Sequence, residues 1–476
     1  MGIVFAAFLA CLPNLAAGAG QDQPAGANHS QLDRQFRAAS AAYDAGHFAD
    51  AAAQLEKLLR EVPESFEVHE LLGLTYSAES QDGKANEHLE KAVRLKPDSA
   101  AARTNLAANL VRLGNPERAE REFKRALKLE PRNFDANHNL GEFYVQSGKL
   151  AEAAPLLARA QKIKPASYDN GYDLALADLE LGKLADARQS VHDLLRRKDT
   201  AELHNLLAQI EEKDGNPVAA ANQFENAAHT DPSETNLFDW GSELLIHRTL
   251  EPAIEVFRQA AERYPNSPRV AIGLGMALYS RGKYDEAIQS LMKAADLNPS
   301  DSRCYLFLSR AFDSSPVHTD EVIERFRRFT ELQPQNPRAL YYYAMSLWKG
   351  KRAQDASLQL HQIEVHQIES LLRKALTLDP NLAEAHLQLG NLYSDQGKYA
   401  ESVPEYLQAL EHNPDLADAH YRLGQAYVHT GEKDRAQQQF EVYQQVRARH
   451  LAEVDKQKAE IRQFVYSEMG GTPAKP

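Results

Sequence analysis

Apolar residues recur along this chain at the spacing of helices, in stripes broken at regular places by glycine and proline. Between Ala287 and Ala295 the stripe is Ala287, Leu291, Ala294 and Ala295. That spacing lines one face of an α-helix, and the two-residue alternation of a strand is absent throughout. A glycine precedes such stripes at Gly46, Gly114, Gly148, Gly182, Gly215, Gly282, Gly397 and Gly431. A proline follows them at Pro63, Pro97, Pro131, Pro165, Pro232, Pro265, Pro299, Pro334, Pro380 and Pro414. Glycine suits the turn after a first helix and proline stops a second, so the repeating element reads as a helix pair. The first four prolines are 34 residues apart; the next step is 67, two periods with Lys198-Asp199 where a proline is missing, and the rest are 33, 34, 35, 46 and 34. A period of this length means one supersecondary unit stacked many times, which displays surface rather than enclosing a single core.

Small residues keep the same register. Ala39, Gly73, Ala107, Gly141, Ala208, Gly241, Gly275, Ala344, Gly390 and Gly424 stand where two helices would crowd a longer side chain. Alanines recur later in the unit, as at Ala119 and Ala126 or Ala253 and Ala260. This pattern, seen almost throughout in AEAHLQLGNLYSDQGKYAESVPEYLQALEHNP, resembles the tetratricopeptide repeat, with small residues at unit positions 8, 20 and 27 and proline at 32. Twelve motifs start at Leu32, Phe66, Ala100, Phe134, Tyr168, Ala201, Glu234, Pro268, Ser302, Pro337, Ala383 and Ala417. The resemblance implies an all-α fold, an α-solenoid in which antiparallel helix pairs wind into a right-handed superhelix. Irregular stacking is expected at the fifth motif, which lacks its proline, and at the ninth, which has Ser309, Val322 and Phe329 at the small positions.

The ends read differently. Residues 3–12, IVFAAFLACL, form an apolar run closed by Pro13-Asn14 and followed by Ala17-Gly18-Ala19, the layout of a secretory signal peptide over 1–19. Export to the periplasm or medium is the expectation, with lipid attachment at Cys11 a minor alternative and no membrane span in the mature chain. A polar linker covers 20–30, with Ser30 and Asp33 at capping-box spacing for the first helix. The twelve motifs occupy 32–450, a capping helix 451–469 and a frayed tail 470–476. The long step before Pro380 places an insertion near 352–367, expected to lengthen the second helix of motif ten. Its His361, Glu364, His366 and Glu369 do not face one ion together: His361 and His366 are five residues, about 140°, apart on a helix. In motif nine Asp313-Ser314-Ser315-Pro316 replaces the glycine turn, with Thr319 as the expected N-cap of the following helix.

Composition then narrows function. A net charge of −13 argues against general nucleic-acid binding, which needs a cationic footprint. Cys11 and Cys304 are the only cysteines, so no disulfide forms once the leader is removed. No phosphate loop, GxSxG elbow, dinucleotide fingerprint or CxxC is present, and no cofactor is expected. His69, His204, His386 and His420 fall at unit position 4 and read as packing residues.

The resemblance implies that positions 2, 5, 6, 9, 12 and 13 of each first helix line a concave groove. Motifs two to six place Glu67, Glu70, Asp135, Glu142, Asp169, Asp173, Glu202 and Glu212 there; those in the first turn suit the helix macrodipole. Motifs seven to ten place Phe238, Ile272, Met276, Tyr279, Leu306, Phe307, Tyr341, Tyr342, Met345 and Trp348 there, with Arg269, Arg303 and Arg338 at position 2 and Arg310 at position 9. Cations at a positive helix end run against the dipole and point either to salt bridges or to a ligand. The expected binding site is therefore motifs seven to ten, and the expected partner a protein or peptide with acidic and apolar side chains. Asn105 and Asn139 resemble the peptide-gripping asparagines of O-GlcNAc transferase repeats and form a secondary, backbone-binding pair. A non-enzymatic interaction scaffold is the leading reading; a peptide-sensing receptor and an enzyme are the alternatives.

Overall fold

The structure, a computed structural model, describes residues 26–354 and 362–449. Among them are 24 helices and no strand. The chain divides into two compact units, the first running to Asp199 and the second from Thr200.

Unit 1 contains α1 (Gly26–Asp44), α2 (Phe48–Glu61), α3 (Phe66–Ala78), α4 (Asp82–Leu95), α5 (Ala100–Arg112), α6 (Pro116–Leu129), α7 (Phe134–Gln146), α8 (Leu150–Ile163), α9 (Tyr168–Glu180) and α10 (Leu184–Leu195). Unit 2 contains α11 (Ala201–Lys213), α12 (Pro217–Thr230), α13 (Glu234–Ile246), α14 (Leu250–Arg263), α15 (Pro268–Arg281), α16 (Tyr284–Leu297), α17 (Ser302–Ser314), α18 (Thr319–Leu332), α19 (Pro337–Gln354), α20 (Gln362–Leu378), α21 (Ala383–Asp395), α22 (Tyr399–His412), α23 (Ala417–Thr430) and α24 (Lys433–Arg449). Odd-numbered helices are the first of each pair, and each packs on its even partner and, within a unit, on neighbouring odd helices such as α3 on α5, α5 on α7 and α7 on α9.

Local chemistry sets these boundaries. Ser65, Ser99, Asn133, Thr200, Ser233 and Ser267 precede odd helices and accept a hydrogen bond from the backbone N–H three residues on, which satisfies a donor the helix leaves open. The turn inside each of the eleven pairs whose turn is described takes a left-handed residue, and eight of these are glycines with φ between 70° and 89°. Three pairs make the same turn without glycine, at Ser80, Arg248 and His318, with φ of 59°, 59° and 53°. Small residues at position 8 let the pair close: a Cβ on Gly141 would lie 2.7 Å from Leu157, and one on Gly275 would lie 2.5 Å from Leu291.

Position 4 ties successive pairs together. In six pairs the side chain there reaches back to the carbonyl of the proline that ended the previous pair: His69 to Pro63 (3.1 Å), Arg103 to Pro97 (2.9 Å), Asn137 to Pro131 (3.1 Å), Tyr305 to Pro299 (3.0 Å), His386 to Pro380 (3.0 Å) and His420 to Pro414 (3.0 Å). Of the four histidines read as packing residues, His69, His386 and His420 are thus polar staples, which meet carbonyls that a helix end leaves unsatisfied, while His204 pairs with Gln223 at 2.7 Å. Where position 4 is Gly171, the Pro165 carbonyl accepts instead from Arg197 and from Gln161 Nε2; where it is the apolar Leu237, the Tyr264 hydroxyl donates to the Pro232 carbonyl at 2.9 Å.

The irregular places have causes. Helix α10 ends at Leu195, and the unit boundary follows where the proline is missing. In motif nine Phe329 is fully buried and stacks on Tyr305 at 4.0 Å, so two large rings replace the small-residue contact. Three local expectations change. Helix α1 starts at Gly26, not after Ser30, because nothing between them breaks a helix. His318, in the left-handed region, is the N-cap of α18, and Thr319 is its first helical residue. The insertion is shared: α19 has 18 residues and α20 has 17, against 13 or 14 in most other helices, and residues 355–361 lie outside the described ones. The expected leader and the linker to residue 25, the terminal capping helix and the tail also lie outside the described residues.

Candidate functional site

Unit 2 presents the expected arginine- and aromatic-rich face on α13, α15, α17 and α19. The structure takes Phe238, Ile272 and Met276 out of it, since all three are fully buried. Phe238 meets Phe257 edge-on at 5.8 Å, and Gly241 and Gly273 bring their helices against the same ring. Apolar residues at groove positions have turned between helices, where burial is worth about 1.5–3 kcal/mol each. Tyr342, Met345 and Trp348 are 7%, 5% and 4% exposed, so only their edges reach the surface. Leu306 and Tyr341 are half-buried, and burial pushes the Tyr341 hydroxyl well above its ordinary pKa.

The arginines find partners inside the protein. Arg269 donates to Glu234 Oε1 of the preceding pair at 2.6 Å and to Thr235 Oγ1 at 3.0 Å, with its guanidinium 5.0 Å from the Phe238 ring centre. Burial opposes ionisation of Glu234, yet Ser267 and Arg269 hold its carboxyl below the ordinary value. Arg303 grips its own N-cap, Asp301, through two hydrogen bonds of 2.9 and 2.7 Å. Arg310 lies 5.9 Å over the Phe307 ring. Arg338 is exposed, and its charge opposes the rise that burial imposes on the Tyr342 hydroxyl.

Unit 1 presents the acidic face on α3, α5, α7 and α9. Asn105 is half-buried, and its side chain lies near enough to Glu70 on the neighbouring helix to lower that carboxyl slightly. Asn139, 6% exposed, opens with Glu142 onto a small pocket of about 20 Å³ floored by Phe123 and Phe143. The two asparagines occupy one face but do not form one continuous ladder: Asn105 lies by the Glu70 carboxyl, while the Asn139 Oδ1 has no hydrogen-bond partner. Glu70, 7% exposed, has its carboxyl pushed up to about 7, chiefly by burial, with Lys96 opposing and Glu67 adding to the rise. Burial likewise raises Asp135, and burial together with Asp169 raises Glu142. All three were legible in the sequence as acids at groove positions, and Asp135 also as a residue suited to a helix N-terminus; their burial was not.

Tetratricopeptide-repeat family models match residues 36–100, 104–168, 144–210, 238–302, 371–403 and 418–450, and a TPR-repeat model matches 390–431. Among curated proteins, the Protein O-mannosyl-transferase TMTC1 of Homo sapiens is 23% identical over 161 residues, 34% of this chain and 17% of that protein. The Mus musculus protein of the same name is 24% identical over 31% of this chain and 15% of its own length. The chain thus spans about a sixth of the curated relatives it matches. Among solved structures, PilW, described as a type IV pilus biogenesis factor, is similar at 24% identity and a TM-score of 0.39, over 42% of this chain and 94% of that one. The APC/C hetero-tetramer Cut9–Hcn1 is similar at 15% identity and a TM-score of 0.38, over 90% of this chain and 96% of that one.

Proposed function

Since the chain belongs to the tetratricopeptide-repeat family, we propose that it is a non-catalytic scaffold that holds a protein segment along the faces of its odd-numbered helices. The observation that supports the reading most directly is Arg338. It is the exposed member of the position-2 arginines, near the half-buried Tyr341 and the edge of Tyr342 on the same helix. Arginine next to aromatic surface is the composition of a binding hot spot, and its planar fork suits a carboxylate. Arg269, Leu306, Arg303 and Arg310 line the approach, the first and third already engaged with Glu234 and Asp301. The segment received there is one with acidic and apolar side chains, and export rests on the apolar run of residues 3–12.

The reading is tested by selecting acidic, leucine-bearing peptides from a display library on the full chain and titrating the best binder. Replacing Arg338 by Glu, or Tyr341 by Ala, should weaken that peptide about tenfold or more. Unchanged affinity for both variants would remove the site from unit 2. N-terminal sequencing of protein recovered from outside the cytoplasm checks export, with cleavage expected after Ala19.

A further inference from the structure

The acidic face of unit 1 has a chemistry of its own. Glu67, Glu70, Asp135, Glu142 and Asp169 stand on α3, α7 and α9, and none of the five forms a salt bridge among the described residues. The lysines whose charge reaches Glu70 and Asp135, Lys96 and Lys164, form no ion pair with them. Lys96 sits 5.1 Å over the Phe66 ring and Lys164 sits 5.2 Å over Phe134, a cation–π arrangement that parks each ammonium at the end of its helix pair.

Two buried side chains on the same face are left unsatisfied. Glu70 Oε1 and Asn139 Oδ1 have no hydrogen-bond partner, although their residues are only 7% and 6% exposed. Leaving a buried acceptor unpaired costs about 1–3 kcal/mol, and more for a charged group. Both atoms are acceptors, so what the face lacks is N–H donors. The Asn139 pocket, about 20 Å³ with Glu142 at its rim, has room for one head group the size of a water molecule, which is also the size of an ammonium.

We propose that the odd-helix face of unit 1 is a docking site for a basic protein segment, with one lysine ammonium entering the pocket of Asn139 and Glu142 and another cation meeting Glu70 and Asn105. The segment lies across α3, α5 and α7, which pack side by side. The buried acceptors supply position and the outer carboxylates Glu67, Asp135 and Asp169 supply attraction, a division that gives register as well as charge complementarity. This site is separate from the acid-binding face proposed in unit 2, and its test uses a ligand of opposite charge, so either proposal can fail alone.

The test is fluorescence anisotropy of the full chain with an acetylated, amidated peptide of alternating lysine and alanine, and with its glutamate counterpart. The lysine peptide should bind and the glutamate peptide should not. Glu70→Gln with Glu142→Gln should weaken the lysine peptide about tenfold or more, and the charge-neutral Asn139→Ala about fivefold. Glu87→Gln with Glu117→Gln, which removes the same charge from exposed positions on α4 and α6, should leave affinity within about twofold. Circular dichroism checks that each variant is folded; if the double variant is not, Asn139→Ala decides. No binding of the lysine peptide, or equal weakening by the inner and outer double variants, would overturn the proposal.

Discussion

In unit 2, arginines occupy the first turn of α15 and α17, where the macrodipole disfavours them, and the protein answers with Glu234 at 2.6 Å from Arg269 and Asp301 at 2.7 Å from Arg303. In unit 1, carboxylates occupy the first turn of α3, α7 and α9, where the macrodipole favours them, and no side-chain cation closes on Glu67, Asp135 or Asp169 among the described residues. A charge that breaks a local rule needs a partner within the fold. One that obeys the rule can stay open without undoing its helix. Charge along a repeat face therefore marks a ligand site less well than charge left over after internal pairing.

The largest way to sharpen this contrast is to break each unit's core. Phe257, fully buried against Gly241 and Gly273, supports unit 2, and Leu157, fully buried under Gly141, supports unit 1. Phe257→Ala should cost about 3–5 kcal/mol and Leu157→Ala about 2–5. Because repeat arrays are stabilised by nearest neighbours, hydrogen exchange should accelerate around the altered pair and leave distant pairs of the other unit protected. Uniform loss of protection over both units would contradict independent stacking.

The next effect is electrostatic. Glu70 is raised from 4.5 to about 7, so the folded state binds this proton more tightly than the unfolded chain does. Its contribution is most favourable below pH 4.5 and is lost as the pH climbs through 7. Glu70→Gln should therefore stabilise the protein above pH 7 by about 1–3 kcal/mol and leave it nearly unchanged at pH 4. Denaturant titrations at the two pH values check this, and a variant less stable at pH 8 would show Glu70 to be a structural group. In unit 2 the buried Asp239, also raised to about 7 mainly by burial and despite Arg269, should behave with the same sign.

Smaller still are the ion pairs themselves. Arg269→Ala should cost about 0.5–1 kcal/mol through loss of the partly exposed Glu234 contact and the packing on Phe238. Glu67→Gln, on an exposed residue that accepts only from the Ser65 hydroxyl, should stay within about 0.5 kcal/mol. Equal costs would erase the distinction between compensated and open charge.

What the residues revealed in advance, and what they hid, follows from the same physics. Eleven odd helices begin at the residues where the motifs begin, from Phe66 to Ala417, because caps, turn glycines and prolines act within a few residues of themselves. Groove exposure could not be read that way. Ile272 and Met276 sit at groove positions, yet Gly273 and Gly275 draw α15 so close to Phe257 and Leu291 that both side chains are covered. Periodicity assigns a side chain to a face, while the size of residues on other helices decides whether that face is open. The pairing of Arg269 with Glu234 spans 35 residues and carries no sequence signal beyond two opposite charges one period apart.

The smallest expected effect compares one turn from each unit. Ser80 and Arg248 hold φ of 59°, in the left-handed region that costs an L-residue about 1–2 kcal/mol. Both are exposed, and their backbone N–H groups donate to Ser77 and Leu245 at 3.1 Å, bonds that glycine would keep. Glycine relieves the strain but adds about 0.5–1 kcal/mol of unfolded-state entropy. Ser80→Gly and Arg248→Gly should therefore each stabilise the protein by about 0.5 kcal/mol, seen as a higher denaturation midpoint with an unchanged slope. The gain should be the same in both units, because the turn is built from backbone and neither face enters it. A gain at Ser80 with a loss at Arg248 would mean that the Arg248 side chain contributes a contact of its own, and that the units differ in their turns as well as in their charges.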